Sequence, residues 1–287
     1  MPRPPSAEGF LPISALLGLK RLVLTGRYDE VHPAGFTIFL SALIIALLLR
    51  KGFCGWICPV GFGSNLTEKA GKKIEIVRRL PPWLDYPLLS LKYLLLAFFL
   101  YAIFWKMNIR EVEAFIHGPY NKIVDGKMLL FFLEPSRLKV QVVIFFILIS
   151  LVARNFWCRY LCPYGALLGL FGLLSPAQVK RKEELCIDCK SCDKQCPASI
   201  RVSQKRTVWD PECMGCMECV EVCPQKDCLT LSLPKAKKTP PVVLAAGVLT
   251  VFFLFRAVAL YTGHWHTSVS PKKARHIYPL SSTLTHP

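Results

Sequence analysis

Long apolar runs separated by polar stretches divide this chain. Four are nearly free of charge: about Pro33 to Arg50, with the core AGFTIFLSALIIALLL; Tyr86 to Trp105, with only Lys92 inside; Leu138 to Trp157, around VVIFFILISLVA; and Pro241 to Tyr261, interrupted by Arg256. About 20 apolar residues in a helix cross the ~30 Å hydrocarbon layer of a bilayer, so each run predicts a spanning helix, the first being marginal. Phe10 to Leu24 is shorter and carries Lys20 and Arg21, which predicts an amphipathic segment at the membrane surface. The opening MPRPP lacks the cationic start and apolar core of a signal peptide, so no cleavage is expected. The pattern predicts a membrane all-α protein in four parts. These are an outer-face segment over 1–32, transmembrane helices 1–3 over 33–175, a polar domain over 176–234, and helix 4 with an outer tail over 235–287.

Composition agrees: 53% of the 287 residues are hydrophobic and the mean hydropathy is +0.38, too apolar for an ordinary soluble domain. The formal charge of +17 fits either nucleic acid or a membrane surface. With spanning helices the membrane reading prevails, because basic residues accumulate on the cytoplasmic side, and no nucleic-acid partner is expected. Lys and Arg are denser over 50–85 and 154–240 than over 1–33, 106–139 and 263–287. That bias puts the polar domain in the cytoplasm and both termini outside.

Chemistry enters with the cysteines. Cys186 to Pro224 holds CIDCKSCDKQCP and CMGCMECVEVCP, two copies of C-x2-C-x2-C-x3-C-P, the run of bacterial ferredoxins. Three thiolates spaced two residues apart wrap three corners of a 4Fe-4S cubane from one loop. The fourth cysteine of each run serves the other cluster. This spacing predicts Cys186, Cys189, Cys192 and Cys223 on cluster 1, and Cys213, Cys216, Cys219 and Cys196 on cluster 2. Zinc, which favours cysteine pairs a dozen or more residues apart, fits the spacing poorly. Eight of the thirteen cysteines fall at cluster spacing in a long chain, which implies a reducing compartment rather than disulfides.

A repeat lies at the ends of the first and third apolar runs. FCGWICPVG and WCRYLCPYG match position by position, each with a basic residue four places before its first cysteine, so Cys54 and Cys58 correspond to Cys158 and Cys162. Both follow helices running inward, which predicts two parallel helix-CxxxCP-helix units with the ferredoxin domain inserted in the second. Cysteines at i and i+4 of a helical turn share a face, Pro59 or Pro163 would end that turn, and Gly61 or Gly165 would permit a reversal. The four thiols are read as a further metal or cluster site or an electron-accepting relay, the alternative being cysteines that pack the corner. Cys228, outside both runs, is expected to pack. His32, His117, His264 and His266 fall near predicted outer helix ends, where haem ligation or quinone hydrogen bonding competes with a place in loops. Arg256 is either an intramembrane functional charge or a snorkelling one.

FCGWICPVG, WCRYLCPYG and the paired ferredoxin runs, in this order among four helices, resemble the membrane-bound ferredoxin-type quinol dehydrogenase components of the NapH and MauN type, related to NosR and CcoG. The resemblance covers about residues 8–262. It implies a multi-pass protein of the bacterial inner membrane that couples the quinone pool, within membrane lipid, to cytochrome, ferredoxin or reductase partners through two 4Fe-4S clusters. The alternative it offers is a CcoG-type assembly factor that reduces copper at Cys54, Cys58, Cys158 and Cys162. NapH-type relatives often carry Cys-Pro where this chain has Leu11 and Pro12.

Overall fold

Pro33 opens the first long helix, Pro33–Leu49, at the position where a proline costs no hydrogen bond. Arg50 stops it: this residue is left-handed, φ 62°, and gives its N–H to Ser175 Oγ at 3.1 Å. The computed structural model describes residues 5–232 and 240–270, so the expected outer tail beyond 270 lies outside the described residues. The described chain is mostly helical. Two helices are long and apolar enough to cross a membrane, Pro82–Lys106 and Pro241–Tyr261, and Pro33–Leu49 and Pro163–Leu173 are shorter apolar helices. The third apolar run is helical only over Arg137–Val152. It breaks at left-handed Asn155, φ 47°, whose amide is drawn to Glu68 Oε2 at 2.9 Å, and resumes as the π-helical turn Trp157–Leu161.

The chain divides into two units. One comprises Met1–Ser41, Ala97–Val142 and Phe253–Pro287, the other Ala42–Leu96 and Val143–Phe252. The division falls inside the helices Pro33–Leu49, Pro82–Leu100, Arg137–Val152 and Pro241–Tyr261.

In the first unit, the short run becomes the helix Pro12–Thr25, closed by left-handed Gly26. Its two cations are buried. Lys20 Nζ donates to the carbonyls of Ile103, at 2.7 Å, and Met107, supplying partners that a helix end otherwise lacks. Arg21 Nε meets Glu113 Oε1 at 2.7 Å, on the helix Ile109–Ile116, whose start is fixed by a reciprocal Asn108–Glu111 capping box.

In the second unit, strands β1 (Gln178–Arg181) and β2 (Leu229–Ser232) pair antiparallel, with Val179 opposite Leu231. Val179, Ile200, Val202, Val208 and Leu231 form a core that also takes in Leu244 of Pro241–Tyr261, with Leu49 packed against it. Each fully buried leucine contributes about 2 kcal/mol, so the apolar helices help hold the ferredoxin fold together.

Candidate functional site

The two cysteine runs fold alike. Asp188 and Lys190 in the first, Gly215 and Met217 in the second, are left-handed at the same two positions after the leading cysteine. Such residues turn a loop back on itself into a concave row of N–H groups that suits an anionic occupant. One-turn helices follow, Ser191–Gln195 and Glu218–Glu221. The fold groups the cysteines across the two runs: Cys186, Cys189, Cys192 and Cys223 line one cavity of about 350 Å³. Cys196, Cys213, Cys216 and Cys219 line another of about 390 Å³. Buried Cys228, which spacing could not single out, also lines the first cavity, with Sγ 3.6 Å from the Lys182 carbonyl.

Their surroundings differ. The first cavity opens at Cys189, which is exposed, and is edged by Arg181, Lys190 and exposed Ile187. Hydrogen bonds from Ser191 hold the Cys189 thiol below its ordinary pKa. The second is walled by Val179, Ile200, Val202, Val208 and Met217, and burial pushes the Cys196 thiol up to about 11.

The segment carrying Cys192 and Cys196 is gripped by donors from the repeat regions. Arg79 donates to the Asp193 carbonyl, Lys72 to that of Gln195 at 3.2 Å, and Arg154 to that of Cys196 at 2.9 Å. Asn155 reaches the carbonyl of Pro197 at 3.3 Å, and Arg159 that of Ala198. Arg159 is fixed in turn by Asp85, 2.7 Å away, which also accepts the Tyr160 hydroxyl at 2.5 Å. Buried charge-assisted bonds of this kind contribute on the order of 2 kcal/mol each.

The CxxxCP pairs are not each on one helical turn, as expected, but at a helix-to-helix corner. Cys54 lies in the short helix Gly52–Trp56, whereas Cys58 is the extended residue before Pro59–Lys73. Likewise Cys158 lies in the π-helical turn and extended Cys162 precedes Pro163–Leu173, its Sγ accepting from Gly165 N at 3.3 Å. Each proline explains this: it forces the residue before it out of the helical region and then opens the next helix. Gly61 sits inside that helix and lets the Cys54 carbonyl approach, since a Cβ there would come within 2.2 Å of it. The four thiols are partly buried and share one neighbourhood, with Lys51, Cys58, Cys158 and Cys162 all acting on Cys54. Burial raises Cys54 and pushes Cys158 up to about 12. Among the described residues, no three His, Cys, Asp or Glu converge tightly enough to grip a single metal ion.

This corner touches the second ferredoxin loop. Trp56 Nε1 donates to the Gly215 carbonyl at 3.4 Å, and Gly55 leaves room for the Met214 carbonyl, which would be 3.2 Å from a Cβ. Met214 and Gly215 stand between Cys213 and Cys216. Buried Glu212, just before them, binds Lys51 and Lys92; the two lysines hold its carboxyl down at about 2 against its burial. Sequence reasoning missed Glu212, because its partners lie far away in the chain.

Of the singled-out histidines, His32 departs from expectation. It is buried, with Nε2 2.6 Å from the Asn121 carbonyl and Nδ1 3.4 Å from Glu8. His117, His264 and His266 are exposed, as loop residues would be. The Arg256 guanidinium lies 5.7 Å over the Trp265 ring.

A family model described as a 4Fe-4S dicluster domain matches residues 178–224, and one described as a 4Fe-4S binding domain matches 31–77 and 140–182, the two segments that carry the CxxxCP pairs. The chain is 40% identical to the candidate electron transport protein YccM of Escherichia coli, over 99% of this chain and 81% of that one. It is 32% identical to the methylamine utilization ferredoxin-type protein MauN of Methylorubrum extorquens, over 66% of this chain and 61% of that one. It is 26% identical to the ferredoxin-type protein NapH of Haemophilus influenzae, over 68% of each. No solved structure matches it. The chain belongs to the family of ferredoxin-type iron–sulfur electron-transport proteins that includes NapH and MauN.

Proposed function

We propose that this protein is a multi-pass component of the bacterial inner membrane that couples the quinone pool to a redox partner. Four spans are supported by the four apolar runs and by the helices Pro33–Leu49, Pro82–Leu100, Arg137–Val152 and Pro241–Tyr261, each of which contributes to both units. The basic bias of 50–85 and 154–240 supports a cytoplasmic ferredoxin domain.

Cys186, Cys189, Cys192 and Cys223 would hold one 4Fe-4S cluster, and Cys213, Cys216, Cys219 and Cys196 a second, each set lining one cavity. Such clusters supply one-electron carriers whose potentials depend on hydrogen bonding and exposure. The two sites would stand in series. The loop between Cys213 and Cys216 rests on the corner that carries Cys54, while Cys189 is open to solvent for a cytochrome, ferredoxin or reductase. The contact of Trp56 with Gly215 carries this reading. Gly215 lines the cavity of Cys196, Cys213, Cys216 and Cys219, the inner of the two, the cavity at Cys189 being the outer one. Trp56 stands between Cys54 and Cys58 at the end of an apolar helix. Those four form the relay between the quinone side and the ferredoxin sites.

The test is quinol-driven reduction in detergent. Cys58→Ala or Cys162→Ala should leave both ferredoxin clusters assembled and reducible by dithionite, but not by a quinol analogue. Normal quinol-driven reduction in the variant with all four CxxxCP cysteines replaced by alanine would remove the relay.

A further inference from the structure

Around the four CxxxCP cysteines, buried positive charge exceeds buried negative charge. Lys51 and Lys92 are 4% and 0% exposed, and both direct Nζ at one oxygen, Glu212 Oε2, at 3.5 and 2.5 Å. The other oxygen of Glu212 accepts the Tyr93 hydroxyl at 2.8 Å. Nearby Arg159 is matched by Asp85, and buried Arg50 spends its guanidinium on the main-chain carbonyls of Ala177, Val208 and Asp210. One carboxylate therefore serves two ammonium groups. Lys51 holds it loosely, and its other neighbours are Cys54, Cys158 and Cys162.

A buried charge is strongly destabilising unless an anion or a set of carbonyls faces it, as carbonyls face Arg50. Among the described residues, Lys51 Nζ donates only to Glu212. Neutral thiols add no negative charge, whereas a bound metal centre displaces their protons and leaves thiolates. We infer that Lys51 and Lys92 are the counter-charges of an anionic, thiolate-ligated iron–sulfur centre at Cys54, Cys58, Cys158 and Cys162, and that Lys51 sets its reduction potential. The inference rests on the redox role proposed above for these cysteines. A cluster suits the donors better than a lone cation. The four thiols do not close to the grip of a single ion, and neither do the eight of the ferredoxin runs. Each electron the centre accepts adds one negative charge, and an ammonium nearby in a dry setting favours that reduced state. Lys51 is thus a positioning residue for charge, not a ligand.

The test uses the full chain, purified anaerobically. Metal and labile-sulfide analysis should find about four irons more than two cubanes require, and replacing all four CxxxCP cysteines by alanine should remove only those. Copper or zinc lost in their place overturns the cluster assignment. Identical metal content in both proteins overturns the four-cysteine site itself. Lys51→Met leaves Lys92 and Glu212 as a matched pair, so the fold is kept and iron retained. EPR-monitored titration should then show the four-cysteine centre at least tenfold harder to reduce, about 59 mV lower, with the ferredoxin clusters unmoved and Lys51→Arg restoring the original value. An unshifted potential at full iron content overturns the role of Lys51 while leaving the site intact.

Discussion

The two cysteine cavities are built from the same motif with left-handed residues at the same positions, yet one faces solvent and the other is packed against apolar helices. Cys189 is exposed beside Lys190 and Ile187, whereas Cys196 and Cys219 are buried among valines, methionines and Ile200. The motif therefore determines how a site is ligated, and its setting determines what the site can reach. A duplicated loop becomes an ordered pair of sites because its second copy meets the Trp56 corner while its first copy carries the exposed Cys189.

The largest effect should come from breaking the crossed grouping. Cys196→Ser should abolish or convert the cluster of Cys213, Cys216 and Cys219 while sparing the spectrum of the outer one. Damage confined to the outer cluster in EPR would show that the grouping is wrong. Next is the grip on the inner cavity. Arg159→Leu strands Asp85 in a partly buried site and frees the Ala198 carbonyl, and should cost about 3 kcal/mol, read as a fall in thermal midpoint with faster loss of the inner cluster. Smaller still is the difference between the two corners. Gly61→Ala places a Cβ 2.2 Å from the Cys54 carbonyl and should cost roughly 1–3 kcal/mol, whereas Gly165→Ala meets the Cys158 carbonyl at an ordinary 3.4 Å and should cost less, as paired melting curves would show. Beside Arg181, which shares Glu183, Arg206→Gln removes an exposed pair with that carboxylate at 3.0 Å and should leave stability unchanged within error.

Features set by nearby residues were legible in the sequence. Two cysteines apart by a fixed count must share a loop, so the ferredoxin runs and the matched nonapeptides stood out at once. Pro241–Tyr261 was equally plain, being one apolar run broken only by Arg256. The third run misled, because nothing local marks Asn155 as a helix end. Its left-handed conformation is held by Glu68 and Pro197, both far off in the chain. Lys92 read as a stray charge in a span, since its partner Glu212 lies across the fold. His32, which spacing leaves open between haem ligation, quinone hydrogen bonding and a loop, is enclosed by Glu8 and Asn121. Buried charges are fixed by tertiary partners, which periodicity and spacing do not reveal.

On the proposed path the inner cavity stands between the four CxxxCP cysteines and the outer cavity. That order is tested most directly by quinol-driven reduction, followed by freeze-quench EPR, in two variants that each lack one ferredoxin cluster. Protein without the inner cluster should keep its outer cluster oxidised in the presence of quinol yet reducible by dithionite, while protein without the outer cluster should still have its inner one reduced by quinol. Reduction of the outer cluster by quinol at the wild-type rate, with the inner cluster missing, would contradict it.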